Sequence, residues 1–280
     1  MRVPPRPCLL GVPWDRSSSY ERGAAAAPPL IRRALWSPST NSATEVGIAV
    51  EPGALDDAGD LEPGEDAVGA RAAIEAGVRA ILTNQGLPVV LGGDHSISYP
   101  VLRAWRDTPV AAILHIDAHG DLYDEYPLPG PGQPVGLGDR YSHACPFARI
   151  MEDRLTNRLV QVGVRTATPH LVAQAARFGV ETYGMDRWRS APVEALEGPL
   201  YVSLDLDGLD PAFAPGVAHP EPGGLSTRDV VELLHRIRAP IAGIDIVEYH
   251  PGNDHHDLTA RVAAKLLKEA IAVAFRNSQA

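Results

Sequence analysis

Short unbroken runs of apolar residues alternate along the chain with stretches in which apolar residues recur every three or four positions. The runs are Cys8–Val12, Val46–Val50, Pro88–Leu91, Val110–Ile116, Leu159–Val164, Leu200–Leu206 and Ile241–Val247. Each is continuous rather than alternating, which predicts parallel strands covered on both faces. Between them, Glu65–Gln85 places Ala67, Ala70, Ile74, Val78 and Ile81–Leu82 at helical spacing. Ser226 reads as an N-cap, with Asp229 in the first turn ahead of Val230–Val231 and Leu233–Leu234. Leu258–Phe275 reads as a closing amphipathic helix through Val262, Leu266–Leu267 and Ile271. Strand–helix alternation from end to end predicts an α/β fold: one doubly wound, mostly parallel sheet with helices on both faces, in a single domain over residues 1–280. Ligands of such sheets bind beyond the carboxyl ends of the strands. Pro127–Gly138 is the loop densest in proline and glycine, long enough to rim an active site or to move.

Composition narrows the function. Lys plus Arg number 25 and Asp plus Glu 35, a net charge of −10. A chain that grips nucleic acid, or a polybasic membrane-surface protein, needs the opposite balance. No run approaches the ~18 apolar residues of a membrane span. Met1–Val12 carries three prolines and does not read as a signal peptide. The two cysteines, Cys8 and Cys145, make neither a disulfide framework nor a zinc cage, so a cytoplasmic protein is expected. The acid excess is either a solvating surface or carboxylates gathered to hold cations.

Three segments favour gathered carboxylates. In Gly92-Gly93-Asp94-His95-Ser96 an apolar strand runs into two glycines and a helix start. In Asp117-Ala118-His119-Gly120-Asp121 the two acids and the imidazole alternate, which in extended chain puts all three on one face. In Ser203-Leu204-Asp205-Leu206-Asp207, two carboxylates share a face inside an apolar run, where they would repel unless a cation lies between them. Asp210, before Pro211, fixes the following turn. His95, Asp117, His119, Asp121, Asp205 and Asp207 together exceed the needs of one ion and suit two ions that share carboxylates. A hard, oxygen-rich set without thiolate favours Mn²⁺ over Zn²⁺, with nickel and cobalt left open.

These segments resemble the three signatures of the ureohydrolase (arginase/agmatinase) family, in order and at family-like separations. Tyr141–Phe147 and Asp245–Glu248 are further matches, as is the amino end through Gly11-Val12-Pro13, Arg22-Gly23 and Pro29–Arg32, so the likeness covers roughly residues 9–275. Plant-type arginases and bacterial agmatinase-like members look nearest. The resemblance implies an eight-stranded α/β/α fold, a trimer or hexamer, and two Mn²⁺ per subunit. One ion would sit among His95, Asp117, Asp121 and Asp205, the other among His119, Asp117, Asp205 and Asp207. It implies hydrolysis of a small cationic guanidino compound to urea and an amine by a hydroxide between the two metals. Asp121 would carry a proton, His143 would shuttle one at the pocket mouth, and Glu248 would orient the guanidinium.

Within the family the expected substrate is agmatine, with arginine or another guanidino acid as the alternative. Asp124 and Glu125 stand where animal arginases place an Asn, and would repel an α-carboxylate. Arg140 could still reach such a carboxylate. A non-catalytic, metal-stabilised subunit is the competing class, disfavoured because no metal requires His143 or Glu248. His115 is either a packing residue or a partner of a metal ligand. Asp94 and Asp245 are candidates to orient ligating imidazoles, and His219 to line the pocket. Cys145 reads as packing, and His250, His255 and His256 as surface.

Overall fold

The computed structural model describes residues 5–126 and 138–278, so the loop expected at Pro127–Gly138 lies almost wholly outside the described residues. Eight strands form one sheet: β1 (Pro7–Gly11), β2 (Asp56–Asp60), β3 (Leu87–Leu91), β4 (Ala112–Ile116), β5 (Leu159–Val162), β6 (Glu181–Tyr183), β7 (Leu200–Asp205) and β8 (Ile241–Val247). Their order is β2-β1-β3-β8-β7-β4-β5-β6, and every pairing is parallel.

Successive strand residues point to opposite faces, and the continuous apolar runs serve both. Leu9, Val89, Leu114, Val202 and Ile244 face a core shared with α1 (Ala27–Leu35), α6 (Thr227–Arg236) and α7 (Leu258–Ser278). Leu10, Val90, Ile113 and Tyr201 face a second core. That core is shared with α2 (Ala67–Thr83), α3 (Ser98–Arg103), α4 (Pro146–Glu152) and α5 (Pro169–Phe178).

Local chemistry fixes the helix ends. Ser226 and Asp229 form the expected capping box on α6. Asp66 caps α2 by accepting from the Gly69 amide, and Gly179 ends α5 at φ 67, in the left-handed region.

One expected strand fails, and an unexpected one takes the edge. Val46–Val50 is not in the sheet. Gly47, at φ 81, folds the run back so that the Val50 amide donates to Ser42 O, and Val50 is buried against the α1/α7 core. The place at the edge goes to β2, Asp-Asp-Ala-Gly-Asp, exposed throughout. It is held by parallel pairing to β1 and by Arg6 and Arg32, whose guanidinium groups meet Asp56 and Asp57.

Because every pairing is parallel, the carboxyl ends of β3, β8, β7 and β4, the four central strands, open on one rim of the sheet. The chain segments that follow them carry the residues of interest.

Candidate active site

His95 follows β3 and opens a short 3₁₀ turn capped by Asp94. Reaching it requires close backbone approach: the Asp94 amide donates to Trp14 O at 2.8 Å, and a Cβ on Gly93 would lie 1.8 Å from that oxygen. The His95 ring is buried, and its Nδ1 lies 3.1 Å from Asp117, 3.1 Å from Asp121 and 3.0 Å from Asp205. On the other side His119 Nδ1 lies 3.1 Å from Asp207 and 3.4 Å from Asp117. All six candidate ligands therefore converge, and Asp117 stands between the two imidazoles.

They do not converge along one strand face. β4 ends at Ile116, and Asp117–Asp121 turns beyond it, with Asp121 at φ 48. Asp205 is the last residue of β7, and its carboxylate accepts from the Asp207 amide at 2.8 Å, which turns Asp207 back toward His119. Turns, not an extended face, bring the acids together.

Among the described residues the four carboxylates meet no lysine or arginine. Their proton affinities conflict. Burial opposes ionisation of Asp117, but the His115, His119 and His95 rings hold it well below the usual carboxylate range. Burial and the neighbouring Asp207 and Asp117 push Asp205 well above it. Burial, opposed by His119, raises Asp207 to about 6. Among the described residues His95 Nδ1 has no hydrogen-bond partner although three carboxylate oxygens surround it. Donor separations near 3.0 Å are those of adjacent ligands on a divalent ion at about 2.1 Å. The residues present thus fit divalent cations, with mixed N/O donors and no thiolate.

A buried row supports the cluster. His115, Ser203 and Asp245 are register partners across β4, β7 and β8. His95 Nε2 meets Ser203 Oγ at 3.0 Å, and Ser203 donates to Asp245 at 2.7 Å. Ser98 and Tyr201 donate to the other Asp245 oxygen. Asp245 thus orients His95 through a serine that the sequence reading did not single out. Asp94 touches no imidazole; it accepts from the Ser17 and Ser96 amides. His115 Nε2 meets Asp117 at 2.7 Å, its Nδ1 meets Gln161 at 3.1 Å, and its ring stacks on Phe147. It is the partner of a candidate ligand, with both nitrogens engaged.

The cluster floors a pocket of about 280 Å³. Glu248, just past β8 and at φ 63, lies on one wall. Its Oε1 accepts from the His95 amide at 2.8 Å and from His143 Nδ1 at 3.0 Å. Burial disfavours a charged His143, but the Glu248 carboxylate outweighs it and raises the ring to about 9. The imidazolium then also donates from Nε2 to Ser19 Oγ, 2.8 Å away. His219 lies 5.0 Å from His143, ring to ring, and burial with the His143 charge lowers its pKa. Tyr123, Tyr126, Thr166, Thr168 and Glu221 complete the walls.

Three expectations change here. Asp124 turns outward to Gln174 (2.8 Å) and Arg177 (3.2 Å), and neither it nor Glu125 lines the pocket. Arg140 is also outside, paired with Glu152 at 2.9 Å. His250 is buried, its Nε2 3.1 Å from Arg22 O, whereas His255 and His256 are exposed as expected. Cys145 is fully buried, and burial raises its thiol to about 12. Asp210 fixes its turn by accepting from the Ala212, Gly223 and Gly224 amides. Ser19, Thr166 and Thr168 were missed because hydroxyl residues in loops carry no pattern.

The model of the Arginase family matches residues 6–273. The mitochondrial Arginase 1 of Arabidopsis thaliana is 46% identical over 94% of this chain and 80% of its own. The guanidinopropionase of Pseudomonas aeruginosa is 33% identical over 94% of this chain and 85% of its own. The solved arginase of Medicago truncatula superposes with a TM-score of 0.86 at 42% identity, covering 96% of this chain and 86% of that one. The Arabidopsis relative, named mitochondrial, overturns the cytoplasmic expectation. That expectation rested on composition and cysteine count, which carry no address.

Proposed function

Since the chain belongs to the arginase family of amidinohydrolases, we propose that its substrate is arginine, cleaved to ornithine and urea, and that its metals are two Mn²⁺. The observation that carries this reading is the His95/Asp117/Asp121/Asp205 and His119/Asp117/Asp207 cluster on the floor of a pocket walled by His143 and Glu248. The preference for agmatine rested on Asp124 and Glu125, which do not line the pocket, and it is withdrawn. Arginine is favoured by the 46% identity to a protein named arginase. It is favoured too by walls that offer the hydroxyls of Tyr123 and Thr168 to a carboxylate and Glu221 to an ammonium group.

A guanidinium carbon is a poor electrophile because its charge is spread over three nitrogens. A divalent metal pair, when bound, supplies a nucleophile at neutral pH by lowering the pKa of water. His95, Asp117, Asp121 and Asp205 would hold one ion, and His119, Asp117, Asp205 and Asp207 the other. Glu248 meets the guanidinium with the carboxylate oxygen that His95 and His143 leave free, and so orients it. Asp121 would take the proton released by the attacking water and pass it to the departing nitrogen. His143, raised to about 9 and facing the pocket through Nε2, would supply the second proton that turns the departing amine into an ammonium group, and would regain it from the released urea through solvent at the pocket mouth. Asp245, through Ser203, keeps the His95 ring in place while charge shifts around it. By family resemblance the working form is a homo-oligomer, a trimer or hexamer.

The test is urea release by Mn²⁺-loaded protein from arginine, agmatine, guanidinobutyrate, guanidinopropionate and guanidine. The expected outcome is the highest kcat/KM with arginine. A higher value with any other substrate overturns the assignment.

A further inference from the structure

The segment that leaves β4 through Asp121 and returns through His143 has two legs, tied at two levels. Near the floor, the Tyr123 amide donates to Ala144 O and the Phe147 amide to Asp121 O, both at 3.1 Å. Farther out, Tyr126 and Asp139 exchange backbone hydrogen bonds of 3.1 and 2.9 Å. Beside this outer pair lies the buried side chain of Arg149, from α4. Its Nη1 donates to Asp124 O at 2.6 Å and to Arg140 O at 3.2 Å, one carbonyl on each leg. Its Nε lies 2.8 Å from Glu152, which also holds Arg140 at 2.9 Å. One guanidinium nitrogen reaches both carbonyls, and the planar group, anchored at Nε beside Glu152, fixes the direction of its two N–H bonds as a freely rotating ammonium does not.

Of the residues on these legs, Asp121 and His143 belong to the reaction centre, whereas Tyr123 and Tyr126 face the pocket from the side. The inner ties hold the first pair without Arg149. The outer ties set where Tyr126 stands.

We propose that Arg149 is a positioning residue for substrate recognition. By bridging Asp124 O and Arg140 O it sets the separation of the two legs, and with it the tyrosine wall that receives the end of the substrate remote from the guanidinium. This rests on the arginine reading of the pocket.

The experiment compares wild type, Arg149→Met and Arg149→Lys, each loaded with Mn²⁺ and assayed with arginine. Arg149→Met is expected to raise KM about tenfold while kcat stays within about twofold. Manganese content by elemental analysis should match wild type. Hydrogen exchange should accelerate at the Tyr126 and Asp139 amides and stay slow at Tyr123 and Phe147. Arg149→Lys, whose ammonium nitrogen can reach the carbonyls but is not held in a fixed plane, should recover part of the KM and of the protection.

An unchanged KM, or a fall in kcat at constant KM, overturns the proposal. If Arg149→Met does not fold, a wild-type KM in Arg149→Lys together with wild-type exchange at Tyr126 overturns it. A wild type that releases no urea from arginine refutes the substrate reading instead. The exchange pattern then decides the clasp alone.

Discussion

His119 is the most accessible of the candidate ligands, its side chain 26% exposed, and it contributes a single nitrogen beside Asp207 and Asp117. Replacing it with Asn removes that donor without opening a core cavity. His119→Asn is expected to lose manganese and to cut urea release more than about 100-fold, since losing a ligand costs more than losing the group that orients one. Far-UV circular dichroism should be unchanged. Full metal content by elemental analysis would refute the placement. All six residues of this cluster were legible in the sequence because acids and imidazoles at the ends of apolar runs are conspicuous. How they converge was not legible: alternation suggested an extended face, whereas Asp121 at φ 48 and the turn after Asp205 do the work. Ser203 escaped notice because its role exists only once β4, β7 and β8 lie in register.

At the scale of elements, α6 and α7 are joined by a buried carboxylate. Glu269 is fully buried; it accepts from His235 Nε2 at 2.8 Å and from the Glu45 amide at 3.0 Å, and it pairs with Lys265. Burial opposes its charge, but Lys265 and His235 hold its pKa below the ordinary value of 4.5. Glu269→Gln is expected to cost about 1–3 kcal/mol, read as a lower Tm at neutral pH. A carboxyl with a lowered folded-state pKa contributes fully above its unfolded value and loses that contribution as pH falls. The gap between wild type and variant should therefore narrow below pH 4.5; a gap that widens there overturns the ion-pair account. α2, α6 and α7 were legible because burial on one face imposes a helical period, and the central strands because burial on both faces makes them continuously apolar. The edges were not. β2 buries nothing, so Asp56–Asp60 has no apolar signal, and β6 is only three residues long. Val46–Val50 misled for the opposite reason: its apolar side chains pack on the core from a loop.

For the whole molecule, the charge of −10 includes four acids enclosed in one cluster. Two divalent cations would neutralise those four charges internally and leave the rest as surface. Binding confined to the folded state stabilises it by about 2.7 kcal/mol at a hundredfold excess over Kd. Chelation should thus lower Tm by several degrees, and adding Mn²⁺ should restore it. A Tm indifferent to chelator would show that the acids are balanced by protons alone.

The floor of the pocket is built from segments after β3, β4 and β7, with Glu248 and His143 on the nearest walls, while Tyr123, Tyr126, Thr166, Thr168 and Glu221 stand farther along the loops that follow β4, β5 and β7. That separation bears on how such a chain can diversify. Substitutions at those five positions remove no candidate metal ligand and neither His143 nor Glu248, so a lineage can drift from one guanidino compound to another with its reaction centre intact. A library confined to those five positions would retrace that drift at the bench.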